Sequence, residues 1–330
     1  MVIILFLYKQ ERKMQEYTLK NDIMQLLKKQ DECVVTRIKG RTGDMLTTNH
    51  EVFPGINLVY NDVNFEESES VSIKNEKCSG VLEINHCREG RIECSCKNDF
   101  FYLSPGDLCI HMKSTVGDDL YFPSGNYQGI SILIDIKQAP LCLSCILDDV
   151  NVRPEQLVRK FCRDGSLFVC RSNSHLEHIF SELYSIPQEV QKGYYKIKVL
   201  EILLFLSCLS TETREEKLFS SAQVSIAKEV CRYLTAHMEE RITIEKLSDK
   251  FHVSQTVLKN SFKVVYGMSI YSFIRTQKMQ SAAAMLRNTD KTVLEIANLH
   301  GYENGSKFAS AFRDIMGVSP AEYRQNGAFN

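Results

Sequence analysis

Between Ile244 and Arg324 apolar side chains return every three or four positions, with small polar or charged residues between them. In the last part of this stretch, Ile296 and Ala297 suit a face turned to another helix, and Phe308 and Phe312 share one face four residues apart. Gly301, between the two runs, can take the positive φ of a tight turn. Lys307, Ser310 and Arg313 are left on the opposite face. The pattern predicts helix, turn, helix, with the second helix shaped to enter a major groove.

The same pattern occurs upstream. Leu258 and Phe262 take the places of Phe308 and Phe312, and Phe262-Lys263 followed by Gly267-Met-Ser269 matches Phe312-Arg313 followed by Gly317-Val-Ser319. A repeat at a period of about fifty residues predicts a tandem pair, since two units are too few for a solenoid. Each glycine should end a helix, and the serine two residues on should cap the next. From Ser269 to Leu286 there is no glycine or proline, and Ile270, Ile274, Ala282 and Leu286 keep helical spacing. One continuous helix of roughly 27 Å should therefore join the units. That holds the two recognition helices near one duplex turn, about 34 Å, apart.

At these residues the chain resembles the arabinose-regulator (AraC/XylS) family of bacterial transcription factors. The resemblance rests on Ile296-Ala297, Gly301-Tyr302, Phe308, Phe312-Arg313, Gly317, Ser319-Pro320 and Tyr323-Arg324, and it is close over about the last hundred residues. It implies sequence-specific binding of double-stranded DNA, activation through contact with RNA polymerase, and pairing as a homodimer through helices after the N-terminal domain. Residue by residue, it places Ser254 at an N-cap and Thr256, Lys259 and Asn260 at base-facing positions, flanked by Gln255 and Lys263. Lysine suits guanine O6/N7, and asparagine suits adenine. In the second unit Asn304, Ser306, Lys307, Ser310 and Arg313 are the DNA-binding candidates, although Ala309 and Ser310 replace larger polar side chains. Base reading is therefore expected to be led by the first helix, with Lys307 and Arg313 on phosphates. Lys246, Lys250, Lys278 and Lys291 read as solvated charges.

The chain has 330 residues, 25% charged and 44% hydrophobic, which places it among folded proteins with room for two or three domains. Its net charge of −1 hides an asymmetry: from Gln223 onward 14 basic residues face 10 acidic ones, a mild excess that suits a polyanion. Residues 2–8 are apolar but too few to span a bilayer, and they lack a basic flank and a small-residue cleavage site. A cytoplasmic protein with no membrane partner is expected, with Met14 a candidate start that would leave residues 1–13 untranslated.

From Glu51 to Ile136 the chain is rich in β-branched and aromatic residues, broken by Pro54-Gly55, Lys97-Asn98-Asp99, Pro105-Gly106-Asp107 and Pro123-Ser124-Gly125. This predicts short antiparallel strands. The turn Tyr102-Leu-Ser-Pro-Gly-Asp107 resembles those of cupin-like barrels, and a small barrel can enclose a ligand, so an effector pocket is expected with its lining unknown. The segment His86-Cys-Arg-Glu-Gly-Arg91 loosely resembles the pyochelin-receptor regulator branch, whose members can sense ferric siderophores; Arg88 and Arg91 are then candidates for an anionic ligand. Solvated turn charges are the plainer reading.

Twelve cysteines with no secretory signal suggest reduced thiols. Cys94-Ser-Cys96 and Cys142-Leu-Ser-Cys145, near Cys78, Cys87 and Cys109, admit an alternative: a metal- or thiol-dependent cupin enzyme or redox sensor with an accessory C-terminal module. Against it, Ile92, Cys94 and Cys96 alternate on one strand face, where cysteine is a small hydrophobe. A catalytic metal needs several fixed ligands, and the barrel region carries only His50, His86 and His111. No enzyme activity, cofactor or metal is expected. A third reading has the helix pair bind protein, which the outward Lys, Asn and Ser residues disfavour.

The expected fold is α+β and multidomain: a helical segment over 1–40, a cupin-like β-barrel over 41–150, helices over 151–210, a linker at 211–222, and an all-α tandem helix-turn-helix domain over 223–326. Three helices, Leu157–Cys162, Ser174–Ser185 and Val190–Leu209, should join the halves. The last carries Tyr194, Ile197, Leu200, Leu203, Leu204 and Leu206 on an apolar face that suits either a dimer seam or docking on the barrel. The function expected is a DNA-binding transcription regulator, most simply an activator, that responds to a small-molecule effector.

Overall fold

A computed structural model describes residues 24–30, 33–72, 80–143, 152–171, 173–211, 218–238, 240 and 242–327. The chain divides into two compact units, one reaching to Ser220 and one beginning at Ser221.

The first unit opens with eleven strands: β1 (Met24–Gln30), β2 (Cys33–Lys39), β3 (Gly43–Phe53), β4 (Ile56–Phe65), β5 (Glu69–Ser72), β6 (Val81–Gly90), β7 (Ile92–Cys96), β8 (Asp99–Leu103), β9 (Leu108–Met112), β10 (Val116–Phe122) and β11 (Asn126–Asp135). There follow α1 (Pro154–Phe161), β12 (Phe168–Cys170), α2 (Ser174–Glu182), α3 (Gln191–Cys208) and β13 (Phe219–Ser220). The strands form two antiparallel sheets. The larger runs β1-β2-β3-β4-β11-β6-β9-β12 and the smaller β13-β8-β7-β10-β5.

Alternation along the strands gives the larger sheet two buried faces. Ile130, Ile132 and Ile134 of β11, with Ile56, Leu58, Ile84 and Ile110, pack against α1, α2 and α3. The opposite face meets the smaller sheet through Ile38, Met45, Val63 and Tyr127 on one side and Ile92, Cys94, Phe101 and Phe122 on the other. Glycine is required at Gly43, where a Cβ would stand 2.0 Å from the Asn64 carbonyl oxygen.

Four expectations change here. Residues 24–30 and 33–39 are strands, so the helical segment over 1–40 does not hold there; residues 1–23, with Met14, lie outside the described residues. The barrel is two sheets rather than one closed one among the described strands. The segment over 151–210 is not wholly helical, because Phe168–Cys170 pairs with Leu108–Ile110 and extends the larger sheet. Its helices cover that sheet through a shared core, which is the docking alternative for the long helix. In α3 the buried face is Tyr195, Val199, Ile202, Leu203 and Leu206, while Ile197 is 63% and Leu204 37% exposed. Lys198 sits on the buried side because Glu182 and Glu201 both accept from its Nζ. Of the linker expected over 211–222, residues 212–217 fall outside the described residues, Phe219–Ser220 is a strand paired with Asp99 and Phe100, and a helix already begins at Ser221.

The second unit is helical: α4 (Ser221–Ala236), α5 (Ile244–Phe251), α6 (Gln255–Tyr266), α7 (Ile270–Asn288), α8 (Val293–Leu299), α9 (Gly305–Met316) and α10 (Pro320–Gly327). Its starts and stops are those the sequence encodes. Thr243, Ser254, Ser269, Thr292 and Asn304 each accept backbone N–H groups as N-caps, and Thr292 with Glu295 completes a reciprocal capping box. Gly267 (φ 73°) and Gly317 (φ 79°) close α6 and α9 in the left-handed region.

Candidate nucleic-acid interface

The two helix pairs, α5–α6 and α8–α9, are built alike. Phe262 is fully buried and meets Phe273 edge-on at 5.4 Å and 73°; Phe312, fifty residues on, meets Tyr323 edge-on at 5.4 Å and 77°. Such pairs add to the burial of their area and fix the roll of each helix. Gly267 N–H donates to the Lys263 carbonyl and Gly317 N–H to the Arg313 carbonyl. The turns differ. The second uses Gly301 (φ 77°), as expected, whereas the first uses His252 in the left-handed region (φ 53°), which a glycine search overlooks.

With its apolar side fixed inward, α6 must turn Gln255, Thr256, Lys259, Asn260 and Lys263 outward, and all five are exposed. At 3.6 residues per turn they fall within an arc of roughly 140°. On α9 Ser306, Lys307, Ser310 and Arg313 are exposed and share an arc of roughly 120°. Among the described residues no carboxylate forms an ion pair with Lys259, Lys263 or Lys307.

Two candidates are partly committed to structure. Ser254 Oγ accepts from Val257 N–H at 3.3 Å, and Asn304 Oδ1 accepts from Ser306 and Lys307 N–H at 2.8 and 3.3 Å. Each holds the first turn of its helix, which leaves the Ser254 hydroxyl proton and the Asn304 amide nitrogen for a ligand. Lys278 is not the solvated charge expected: it is half-buried, donates to the His300 carbonyl at 3.0 Å, and burial lowers its pKa.

Two features were not read from the sequence. Val257, 42% exposed, stands where the repeat places Lys307, so the first helix has an apolar contact at that position, of the kind that meets a thymine methyl group. The fifty-residue register already carried that signal. Asp314 also lies on the outer side of α9, where a carboxylate repels phosphate, but Arg275 of α7 pairs with it at 2.5 Å. This ties α9 to the helix between the two pairs. At 19 residues α7 is about 28 Å long. Arg324 of α10 fastens its far end, donating from Nε to the Leu286 carbonyl at 3.1 Å and from Nη2 to the Lys291 carbonyl at 2.5 Å.

Residues 247–326 match the family described as a helix-turn-helix domain. The C-terminal unit is an AraC-type helix-turn-helix domain. The chain is similar to the uncharacterized HTH-type transcriptional regulator YdiP of Escherichia coli K12, 32% identical over 123 residues, which are 37% of this chain and 40% of YdiP. It is 28% identical over 102 residues to the transposon Tn10 TetD protein of Escherichia coli, covering 31% of this chain and 74% of TetD. Among solved structures, the C-terminal domain of AraT, a response regulator from Geobacillus stearothermophilus, shares 30% identity with a TM-score of 0.30, covering 31% of this chain and 84% of that one. The chain thus spans less than half the length of YdiP. The AraC-type domain coincides with the helices that carry the outward basic faces.

Among the described residues the alternative chemistry of the first unit finds no assembled site. Cys87, Cys94, Cys96 and Cys109 are buried in the core, and burial pushes the Cys87 thiol up to about 12 and the Cys94 and Cys109 thiols higher. Such thiols are inert at neutral pH. Cys78 and Cys145 lie outside the described residues. His50 packs on Tyr195, His86 stacks on Phe180, and His111 faces Glu83, so the three histidines serve separate places. Among the described residues no three His, Cys, Asp or Glu side chains gather to hold a metal. Arg88 lies 4.1 Å over the Tyr184 ring and pairs with Glu89, and Arg91 bonds Ser104 and lies over Tyr102. Arg91 is thus spent on the turn before Asp107 rather than offered to an anion. No described helix is long and apolar enough to cross a membrane.

Proposed function

We propose that this chain is a cytoplasmic, sequence-specific transcription regulator, most simply an activator, that binds double-stranded DNA through both helix pairs and engages RNA polymerase. One observation carries the reading: two outward polar and basic helix faces, fifty residues apart in sequence, are set on one rigid helix of about one duplex turn. Lys259 and Asn260 read guanine and adenine edges, Thr256, Gln255 and Val257 complete that contact, and Lys263, Lys307, Ser306, Ser310 and Arg313 hold phosphates. The similarity to proteins named as HTH-type transcriptional regulators supports it.

The β-rich unit is, in this reading, a cupin-like sensor for a small-molecule effector, supported by two facing sheets with a cavity between them. The chain acts as a homodimer through the side of α3 where Ile197 and Leu204 stay exposed after the other side has docked. Effector binding free energy must favour one arrangement of the chain, since equal affinity for two states switches nothing.

Footprinting on the region upstream of its own coding sequence tests the assignment. Lys259→Ala and Asn260→Ala should lose discrimination between sites, at about 1–3 kcal/mol per bidentate contact. Arg313→Ala should weaken binding uniformly and reduce the salt slope by about one. Unchanged footprints in all three variants refute the reading.

A further inference from the structure

Between the two sheets of the first unit lies a cavity of about 60 Å³, lined by Met45, Asn61, Glu83, Asn85, His111 and Ser131 from the larger sheet side and by residues including Ile92, Leu120 and Phe122 from the smaller. One water needs about 10–15 Å³ on this measure, so the space takes several waters or one small molecule. Its two walls differ in chemistry: the larger sheet supplies polar groups and the smaller sheet an apolar floor.

The charges on the polar wall are already spent. Lys113 Nζ stands 3.1 Å from Glu83 Oε2. Burial pushes Glu83 upward, but Lys113, His111 and Ser131 outweigh it and keep the carboxyl ionised. A net-charged ligand would therefore enter a dry site with no free counter-charge, which is costly.

One polar group of this wall is open. Asn61 Nδ2 donates to the Ser131 hydroxyl oxygen at 3.2 Å. Asn61 is 7% exposed, and its Oδ1 has no hydrogen-bond partner. In register beside it, Thr47 pairs with Asn61 and Thr36 with Thr47, and both buried hydroxyls also lack partners. The wall thus holds one acceptor that no donor meets, Asn61 Oδ1, which an O–H or N–H group would satisfy.

We propose that this cavity binds a small, neutral, hydroxyl-bearing molecule of about the size of a phenol, its hydroxyl donating to Asn61 Oδ1 and its apolar back against Ile92, Leu120 and Phe122. The proposal rests on the reading of the β-rich unit as an effector sensor and names the class of effector.

Three probes of one shape separate the alternatives: phenol, toluene and benzoate, titrated into the full chain at pH 7.5 with binding followed by calorimetry. Phenol should bind saturably and about tenfold or more tighter than toluene, which has no donor, and than benzoate, which carries an unpaired charge. Asn61→Leu should weaken phenol about tenfold and leave toluene as tight or tighter. Leu120→Trp, which fills the cavity from the other sheet, should abolish binding of both. Benzoate binding at least as tightly as phenol, equal binding of phenol and toluene, no binding of any probe, or phenol binding unchanged in both variants overturns the proposal. Footprinting without probe separates the two readings: an intact footprint with no phenol binding sinks only the effector class, and phenol binding with no footprint sinks only the regulator.

Discussion

Asn304 is where a structural role and a DNA-contacting role can be told apart in one side chain. Its Oδ1 accepts the Ser306 and Lys307 N–H groups and so fills two of the unpaired donors at the start of α9. Asn304→Ala removes both bonds, at about 1 kcal/mol for a lost N-cap. For a helical unit of this size that lowers the melting temperature by about 4 °C or slightly more. Amide exchange at Ser306 and Lys307 should speed up in step. Asn304→Asp keeps the acceptor and adds negative charge at the helix N-terminus, where it is favourable, so the melting temperature should stay or rise. The same change removes the amide donor and sets a carboxylate beside phosphate, so DNA affinity should fall severalfold. Full-chain calorimetry and a salt-titrated binding assay on both variants decide it. If Asn304→Ala melts like the parent, the cap does not hold α9; if Asn304→Asp binds DNA as tightly as the parent, Asn304 makes no contact there.

His86 should make stability depend on pH. It is 4% exposed, stacked on Phe180 at 4.3 Å, and neither ring nitrogen has a hydrogen-bond partner. Burial, opposed by Glu177, lowers its pKa from 6.5 to about 4. The unfolded chain takes up a proton near pH 6.5 and the folded chain not until about pH 4, so stability falls as pH drops through that window, by on the order of 3 kcal/mol. His86→Phe should flatten that part of the curve in urea melts at pH 4.5 and 7; an unaltered slope assigns it to other groups. At Gly317 (φ 79°) a Cβ would meet nothing within 4 Å, so Gly317→Ala should cost only left-handed strain, about 1–2 kcal/mol, without loss of fold. A larger loss by thermal melting would mean that the end of α9 is more crowded than described.

The second unit was legible because its instructions are local. Ser254, Ser269 and Asn304 as caps, Gly267 and Gly317 as stops, and Phe262 and Phe312 as inward anchors each act within one or two turns. The first unit depends on partners far along the chain. Cys33–Lys39 alternates buried and half-exposed residues, but the Lys-rich run before it, with Leu26 and Leu27 exposed, fits helix and strand alike until β2 and β3 are paired. Phe168–Cys170 is too short to show a period at all. For α3 the apolar residues extend around the helix, so spacing could not say which side docks; Tyr195 and Val199 won because the sheet lies there. The polar inner wall was hidden for the same reason, since Thr36, Thr47 and Asn61 become neighbours only through strand register.

The 19-residue helix α7, tied to α9 through Arg275 and Asp314, also works as a protractor. Each residue added to its middle would turn one reading face about 100° around the axis relative to the other and move it only about 1.5 Å along. A single insertion would therefore aim the second hand away from the duplex the first one holds, and lengthening the DNA site could not restore it. About seven inserted residues would bring the faces back to within roughly 20°. On the proposed function, the count of residues between Ser269 and Thr289, more than their identity, sets which pairs of DNA sites the two faces would grip at once.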